Sequence, residues 1–286
     1  MKHLINLHIT IVGLGLMGGS LGGALRGQCQ AVAGVSRKAE TIEAARARGL
    51  IDWGTTELAE GVRQADMVIL AGPVRVIARQ VTEIGPLLKE SCVVFDLGST
   101  KQHITGQMET LPPYVQVIGG HPMCGKETSG VQAADPGLYR GRSFILCPGL
   151  RTSTSTLELA MELVEAVGAT PLIIEPERQD FLVATLSHLP YMLACALVST
   201  ADATTSPDPM AWKIVAGGFR DTSRVSASDV TMMLDILMTN KANIRNAVNT
   251  CITHLQSLAR LVEAGDEEAL RAALTKIRAT RLEMFP

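Results

Sequence analysis

The first 175 residues alternate between short apolar runs and longer helical patterns. Apolar runs rich in β-branched residues predict strands, and apolar positions at helical spacing predict the helices between them. The predicted strands are 9–12, 31–35, 67–70, 93–95, 115–118, 144–146 and 172–174, and the helical patterns include 19–25, 39–48, 75–88 and 153–167. This alternation predicts an α/β fold with a mostly parallel, doubly wound sheet.

Beyond residue 174 the strand pattern stops and only helical patterns remain. Pro176 is typical of a first helical turn, and residues 181–200 are apolar on nearly all faces, which predicts a buried helix kinked by Pro190. Residues 230–264 continue one amphipathic pattern beyond the usual length of a globular helix. We expect two domains, a doubly wound domain at 1–175 and an all-α domain at 176–286 that forms a dimer.

A glycine motif lies between the first predicted strand and a helix of small residues. Gly13, Gly15 and Gly18 form G-x-G-x-x-G in that context. The first glycine permits a tight turn, the second lets a pyrophosphate approach the backbone, and the third lets helix and strand pack closely. Leu16 and Met17 begin the helix, whose N-terminal N–H groups favour an anion. The motif therefore predicts dinucleotide binding.

The second predicted strand ends in Ser36, Arg37 and Lys38. NAD enzymes usually carry an acidic residue here for the adenine ribose hydroxyls, whereas an arginine matches the 2′-phosphate of NADP. We therefore favour NADP, with NAD as the alternative cofactor. Ordinary surface charges at a helix start are the alternative interpretation of these side chains.

Composition and charge exclude several other classes of protein. The formal net charge of −2 over 286 residues is not typical of a nucleic-acid-binding protein. Six scattered cysteines without a C-x-x-C pair indicate neither a metal site nor a disulfide framework, as expected of a cytoplasmic protein. Residues 4–25 carry no charge, but their many glycines, with Asn6 and His8, argue against a signal peptide or membrane span.

His121 is the first candidate for chemistry. It follows the predicted strand 115–118 in a Gly-Gly-His-Pro-Met segment. Ligands of open α/β sheets bind beyond the carboxyl ends of the strands, and an imidazole there can exchange a proton near neutral pH. Taken alone, the same histidine could simply bond to loop backbone.

Further polar segments accompany His121 and the glycine motif. They are Asp96–Lys101 with Ser99, Lys126–Gly130 with Glu127, Ser187–Pro190 with His188, and Gly217–Arg224 with Arg220. In order and spacing, the whole set resembles the prephenate and arogenate dehydrogenase family over nearly the full chain.

The resemblance implies an NAD(P)-dependent oxidative decarboxylation of a cyclohexadienyl substrate in tyrosine biosynthesis. It implies that His121 bonds and polarises the substrate C4 hydroxyl, and that Ser99 orients this hydroxyl and the nicotinamide. Arg224 would bind the ring carboxylate, with Arg220 four residues before it as part of a clamp on a loop, and His188 would support the same pocket. A guanidinium suits this task because its planar fork matches a carboxylate.

Each of these residues has a plainer interpretation. Arg220 and Arg224 could form a solvated helix cap with Asp221, His188 could be a satisfied buried histidine, and Ser99 could be a helix N-cap. Two other functions also stay open. One is a 3-hydroxy-acid dehydrogenase, although the helix around His188 lacks the lysine on which those enzymes depend. The other is an NADP-sensing regulator without turnover.

The substrate side chain is either the keto group of prephenate or the ammonium of arogenate. Glu127 lies six residues after His121, on a loop expected to overhang the pocket. Its carboxylate would attract the ammonium and offer nothing to the ketone, unless it faces solvent or pairs with Lys126 or Arg142. We favour arogenate on this basis. We expect no regulatory domain in this chain, and so we expect any inhibition by tyrosine to be competitive.

Overall fold

A computed structural model describes residues 3–126, 128–205 and 207–285. Eight of its strands form one sheet: β1 (His8–Val12), β2 (Ala31–Val35), β3 (Trp53–Thr55), β4 (Met67–Leu70), β5 (Val93–Asp96), β6 (Gln116–Pro122), β7 (Ser143–Cys147) and β8 (Thr170–Ile173). Their order across the sheet is β3-β2-β1-β4-β5-β6-β7-β8. The strand order reverses between β1 and β4, which opens a crevice at the carboxyl ends of these two strands.

The neighbouring strands β3, β2, β1, β4, β5 and β6 all run parallel. Strands β7 and β8 run parallel to each other but antiparallel to β6. The predicted α/β, doubly wound class is confirmed. The short strand β3 was not predicted, because three residues are too few for a clear periodicity to show.

Twelve α-helices are described: α1 (Leu16–Leu25), α2 (Ala39–Ala47), α3 (Leu58–Val62), α4 (Val74–Ile84), α5 (Gln102–Met108), α6 (Thr154–Ala166), α7 (Pro176–Val183), α8 (Leu189–Thr205), α9 (Gly217–Ser223), α10 (Val230–Thr239), α11 (Lys241–Glu263) and α12 (Glu267–Met284). Two separate apolar clusters cover the two faces of the sheet. Along β4, Met67 and Ile69 belong to one cluster, and Val68 and Leu70 belong to the other. The strand is therefore buried on both faces, as expected for a parallel sheet.

The helical run 176–205 contains α7, a π-helical turn at Ala184–His188, and α8. The Leu189 N–H bonds to the Ala184 carbonyl across this turn. Pro190 has no N–H to donate to a carbonyl of the preceding turn. The wider π-helical turn therefore lies where the sequence predicts a kink. The run is long and apolar enough to cross a membrane by length and composition alone, a test that core helices of soluble proteins also pass.

The expectation that this helix is buried was wrong for the single chain. Phe181 is 61% exposed and Leu186 is 72% exposed, whereas Val183, Ala184 and His188 are buried. A helix that is apolar all round needs cover on every side, and here only one face packs against the rest of residues 3–240.

The predicted uninterrupted helix at 230–264 was also wrong. Asn240, with φ −126° and ψ 30°, separates α10 from α11. The chain forms two compact units, 1–240 and 241–286. In the second unit, α11 and α12 pack against each other and leave Leu255, Val262 and Ile277 at least half exposed. The domain boundary at 175/176 stays a prediction.

Candidate functional site

The glycine turn after β1 has the shape that a dinucleotide needs. Gly13 has φ +105°, and a Cβ there would lie 2.7 Å from the Ala71 carbonyl oxygen. A Cβ on Gly18 would lie 1.9 Å from the Gly13 oxygen. Packing alone therefore explains these two glycines. A Cβ on Gly15 would meet no described atom within 4 Å. The open space beside Gly15 fits the close approach of a cofactor phosphate.

The first turn of α1 follows this open space directly. Leu16 begins the helix after Gly15, and no side chain of the described residues caps that end. The buried Tyr139 hydroxyl donates a 2.7 Å hydrogen bond to the Met17 carbonyl and so holds the first turn in place. The N–H groups of this turn suit an anion.

The predicted selectivity residues lie at the end of β2, the neighbour of β1. Ser36 is half-buried, and its hydroxyl accepts a 3.4 Å hydrogen bond from the Lys38 N–H. Arg37 is exposed and forms no ion pair with any residue that the structure describes. Its guanidinium is therefore available to a ligand.

His121 lies within β6, not after it as predicted. The strand extends to Pro122 because it pairs with antiparallel β7, which places His121 opposite Ile145. The parallel pairing with β5 ends earlier, at Ile118 opposite Phe95. His121 thus stands past the end of β5 and at the same edge of the sheet as the glycine turn.

A glutamine from α7 connects His121 and Ser99. The fully buried Gln179 places its Nε2 2.7 Å from His121 Nδ1 and 3.3 Å from the Ser99 carbonyl oxygen. The two residues predicted to act on the substrate hydroxyl therefore lie together.

A buried ion pair lies under this site. Lys101 and Asp96 are both 0% exposed, and the Lys101 ammonium donates to the Asp96 carboxylate. The same ammonium donates a 2.7 Å hydrogen bond to the Gly120 carbonyl, beside His121. Asp96 also accepts from the N–H of Gly98 at 2.7 Å. This lysine therefore fixes the ends of β5 and β6 relative to each other.

Asp180, next to Gln179, caps the N-terminus of α5. Its carboxylate accepts hydrogen bonds from the N–H groups of Lys101, at 2.7 Å, and Gln102, at 3.0 Å. The alternative interpretation of Ser99 as the N-cap is therefore wrong, because α5 begins at Gln102 and a carboxylate from another helix caps it. Ser99 is left half-buried in the loop that precedes the helix.

His188 lies on the π-helical turn and is 1% exposed. Asn240 donates through Nδ2 to the Asp180 carbonyl at 2.7 Å, and the same nitrogen lies 3.4 Å from His188 Nδ1. Both predicted histidines therefore belong to one buried polar network around Gln179 and Asp180.

Desolvation keeps both imidazoles neutral, the half-buried His121 and the fully buried His188 alike. Desolvation, followed by the positive charge of Lys101 and the neighbouring His188, lowers the pKa of His121 to about 3. Desolvation lowers the pKa of His188 to about 4. At physiological pH each ring therefore has one nitrogen that can accept a hydrogen bond.

The two predicted arginines have a different setting. Arg220 lies in α9 and Arg224 opens the 3-10 turn Arg224–Ala227, so the predicted loop clamp was wrong, because the segment is helical. Both side chains are exposed. Glu127 lies outside the described residues.

Sequence reasoning missed the residues that support the site. Asp96 and Lys101 belong to the segment that was singled out because of Ser99. A lysine next to an apolar strand could have indicated a buried ion pair. Gln179 and Asp180 gave almost no signal, because polar residues near a helix start are common. The supporting residues that the sequence analysis missed are Gln179, Asp180, Asn240, Asp96 and Lys101.

Two family models of known proteins match the chain. Residues 21–172 match the family model described as prephenate dehydrogenase, nucleotide-binding domain, and residues 175–276 match the one described as prephenate dehydrogenase, dimerization domain. The chain is 32% identical to a prephenate dehydrogenase of Bacillus subtilis, over 92% of this chain and 72% of that protein.

Solved structures of a prephenate and an arogenate dehydrogenase are also similar to the chain. The prephenate dehydrogenase of Aquifex aeolicus, in complex with hydroxyphenyl propionate and NAD+, is similar with a TM-score of 0.92 and 33% identity, over 99% of this chain and 100% of that one. The arogenate dehydrogenase of Synechocystis has a TM-score of 0.84 and 28% identity, over 97% of this chain and 99% of that one.

Proposed function

The chain belongs to the prephenate dehydrogenase family, and from this premise we propose how its residues carry out the family's reaction. The activity is an NAD(P)-dependent oxidative decarboxylation of a cyclohexadienyl substrate, prephenate or arogenate, in tyrosine biosynthesis. One observation carries the assignment of residues: Gln179 holds His121 and Ser99 together at the sheet edge that also bears the glycine turn. A 3-hydroxy-acid dehydrogenase and a non-catalytic regulator are not favoured.

His121 acts on the C4 hydroxyl of the substrate. When bound, the nicotinamide accepts the hydride from C4. The C1 carboxylate leaves as CO2, and the electron pair of the broken bond completes the aromatic ring. Because the product keeps its hydroxyl, His121 needs only to accept a hydrogen bond while positive charge develops on that oxygen. Its lowered pKa, about 3, keeps the ring neutral and able to do so.

The other residues bind and orient. Ser99, in the loop after β5, orients the hydroxyl and the nicotinamide, while His188 borders the same pocket. Arg224 binds the ring carboxylate, with Arg220 one helical turn before it. Gly13, Gly15 and Gly18 with the first turn of α1 hold the pyrophosphate. Arg220 and Arg224 are both exposed, and the planar fork of a guanidinium matches a carboxylate.

We propose NADP as the preferred cofactor. The end of β2 offers a half-buried hydroxyl, Ser36, and an exposed guanidinium, Arg37. A charged hydrogen bond contributes about 1.5–3 kcal/mol. Arg37→Ala should therefore raise the KM for NADP by about 10–100-fold and leave the KM for NAD nearly unchanged. Arg46→Ala, an exposed arginine on α2, is the matched control. Equal losses for both cofactors would contradict the assignment.

For the substrate we propose arogenate. The support is the charge of Glu127, which can attract an ammonium and has nothing to offer a keto group. Similarity does not separate the two substrates, because the relatives include both a prephenate and an arogenate dehydrogenase. A two-by-two assay of prephenate and arogenate with NAD and NADP tests the activity and both preferences. Glu127→Gln should lower kcat/KM for arogenate more than for prephenate, with Glu43→Gln as the surface control.

We also propose a cytoplasmic homodimer that tyrosine inhibits by competition with the substrate. The match of residues 175–276 to a dimerization domain and the exposed Phe181 and Leu186 support the dimer. Tyrosine should raise the KM for the substrate at constant kcat, and a fall in kcat would contradict competition.

A further inference from the structure

Gln179 makes hydrogen bonds to both Ser99 and His121. It is 0% exposed, and its amide nitrogen makes both contacts. A side chain that bonds to the ring of a proton acceptor controls which ring nitrogen carries the proton. Gln179 is therefore placed to determine how His121 faces the substrate.

The amide oxygen of Gln179 has no such bond. Oε1 is buried and has no hydrogen-bond partner among the described residues. An unpaired buried acceptor destabilises the folded state and needs a physical explanation. The nitrogen and oxygen of a carboxamide have nearly the same shape, so a half-turn of the amide exchanges them without repacking.

The two amide orientations have opposite consequences for His121. With Nε2 towards the ring, the amide donates to Nδ1, and the imidazole proton must then sit on Nε2. An Nε2–H cannot accept a hydrogen bond from the substrate hydroxyl. With Oε1 towards the ring, the amide accepts from Nδ1–H, and Nε2 keeps a free lone pair for that hydroxyl.

We propose that Gln179 is a positioning residue whose amide selects the tautomer of His121, and that its acceptor orientation, with Oε1 on Nδ1–H, is the one that supports turnover. This inference rests on the proposed function of His121. With Nε2 towards the ring, the proton of the free enzyme sits on His121 Nε2. Reversal of the amide gives the buried Oε1 the donor that it lacks and breaks the 3.3 Å hydrogen bond from the Gln179 amide to the Ser99 carbonyl oxygen.

The charges around His121 decide whether the ring ionises, and Gln179 decides where its proton sits. Titratable groups face the site from every element packed around it: Asp96 on β5, Lys101 before α5, Cys147 on β7, Asp180 on α7 and His188 on the π-helical turn. Desolvation and the Lys101 ammonium both oppose a positive charge on the His121 ring. The neutral ring is therefore the relevant form.

Two variants of Gln179 separate the two orientations. Gln179→Glu keeps an acceptor for Nδ1–H and cannot donate as a carboxylate, while Gln179→Met fills the same space without either function. Gln80→Glu is the matched control, because Gln80 also has a buried, unpartnered Oε1 but no hydrogen bond to a histidine among the described residues.

The first readout is the ¹⁵N spectrum of histidine-labelled, substrate-free protein, with His121→Asn to assign the ring. The wild type should show His121 protonated on Nε2, and Gln179→Glu should show it protonated on Nδ1. Gln179→Met should give a mixture of both tautomers. If Gln179→Glu and Gln179→Met both keep the wild-type tautomer, the inference is overturned, whatever the enzyme's substrate proves to be.

The second readout is the pH dependence of kcat. A carboxylate within hydrogen-bond distance raises the pKa of a neighbouring base by about 1–3 units. The acidic limb of the profile should move up by that amount in Gln179→Glu and stay in place in Gln80→Glu. Gln179→Met should lower kcat about 10–100-fold with little change in the KM for cofactor. An unshifted limb together with wild-type kcat in Gln179→Met would also overturn the inference.

Discussion

The two ends of the proposed substrate pocket are built in different ways. Around His121 the supporting side chains are buried and joined by hydrogen bonds from β5, α5 and α7. Arg220 and Arg224 are exposed on short helical segments. The difference follows from the two tasks. A neutral acceptor must be held in place by fixed neighbours, whereas a permanent cation is costly to bury.

Removal of the proposed proton acceptor, the half-buried His121, should have the largest effect. His121→Asn should lower kcat by about 10²–10⁴, which is the usual contribution of a placed proton acceptor. Cofactor binding, measured by titration of fluorescence or heat, should not change. His103→Asn, an exposed histidine on α5, is the control. If His121→Asn turns over at nearly the wild-type rate, the buried end is not the catalytic end.

Removal of the exposed cation should affect binding instead of the chemical step. Arg224→Ala would leave the substrate carboxylate without its partner, at a cost of about 2–5 kcal/mol. The KM for substrate should therefore rise by at least about 30-fold, while the KM for NADP stays constant. Arg79→Ala on α4 removes an exposed arginine away from the motif. A change confined to the cofactor would place Arg224 at the other end of the cleft.

The buried end should also make stability depend on pH. The pKa of His188 is about 4 in the folded chain and about 6.5 when unfolded. Between these values the unfolded state binds more protons, so the free energy of unfolding falls as pH falls from 6.5 to 4. His188 should contribute about 1.4 kcal/mol per pH unit in that window. Denaturant titrations of His188→Asn should show a shallower slope, and an identical slope would argue that the ring is not held neutral.

A smaller effect should distinguish the apolar surface of the helical run from ordinary exposed surface. Leu186 is 72% exposed on the π-helical turn, and Leu150 is 97% exposed in the turn after β7. Burial of a leucine contributes about 1.5–3 kcal/mol. Leu186→Glu should therefore weaken the dimer at least about 10-fold in sedimentation equilibrium, and Leu150→Glu should not. Equal behaviour of the two variants would place the dimer contact elsewhere.

The sequence predicted the sheet well because its signals are local. Continuous apolar runs identify the buried parallel strands, and the glycine motif requires a particular turn that the structure contains at Gly13. The end of β6 was placed too early, before His121, because its last residues pair with antiparallel β7, a contact that local sequence does not reveal. The catalytic role of His121 stays a prediction. Gln179, Asp180 and Asn240 could not be found, because their roles depend on contacts across 58 to 80 positions of sequence. The exposure of Phe181 was not predicted, because an apolar composition does not show whether the same chain or a partner subunit buries the side chain.

The cap that Asp180 places on α5 bears on how proteins of this family can be cut and recombined. The family models meet between residues 172 and 175, which invites exchange of the C-terminal part between relatives at that point. Such a cut would remove Asp180 from the N–H groups of Lys101 and Gln102, and Gln179 from His121. A fragment that ends at residue 175 would thus lose the hydrogen bonds that support His121 and the start of α5. A chimera joined after Asn240, where the first compact unit ends, keeps every one of these bonds within one parent.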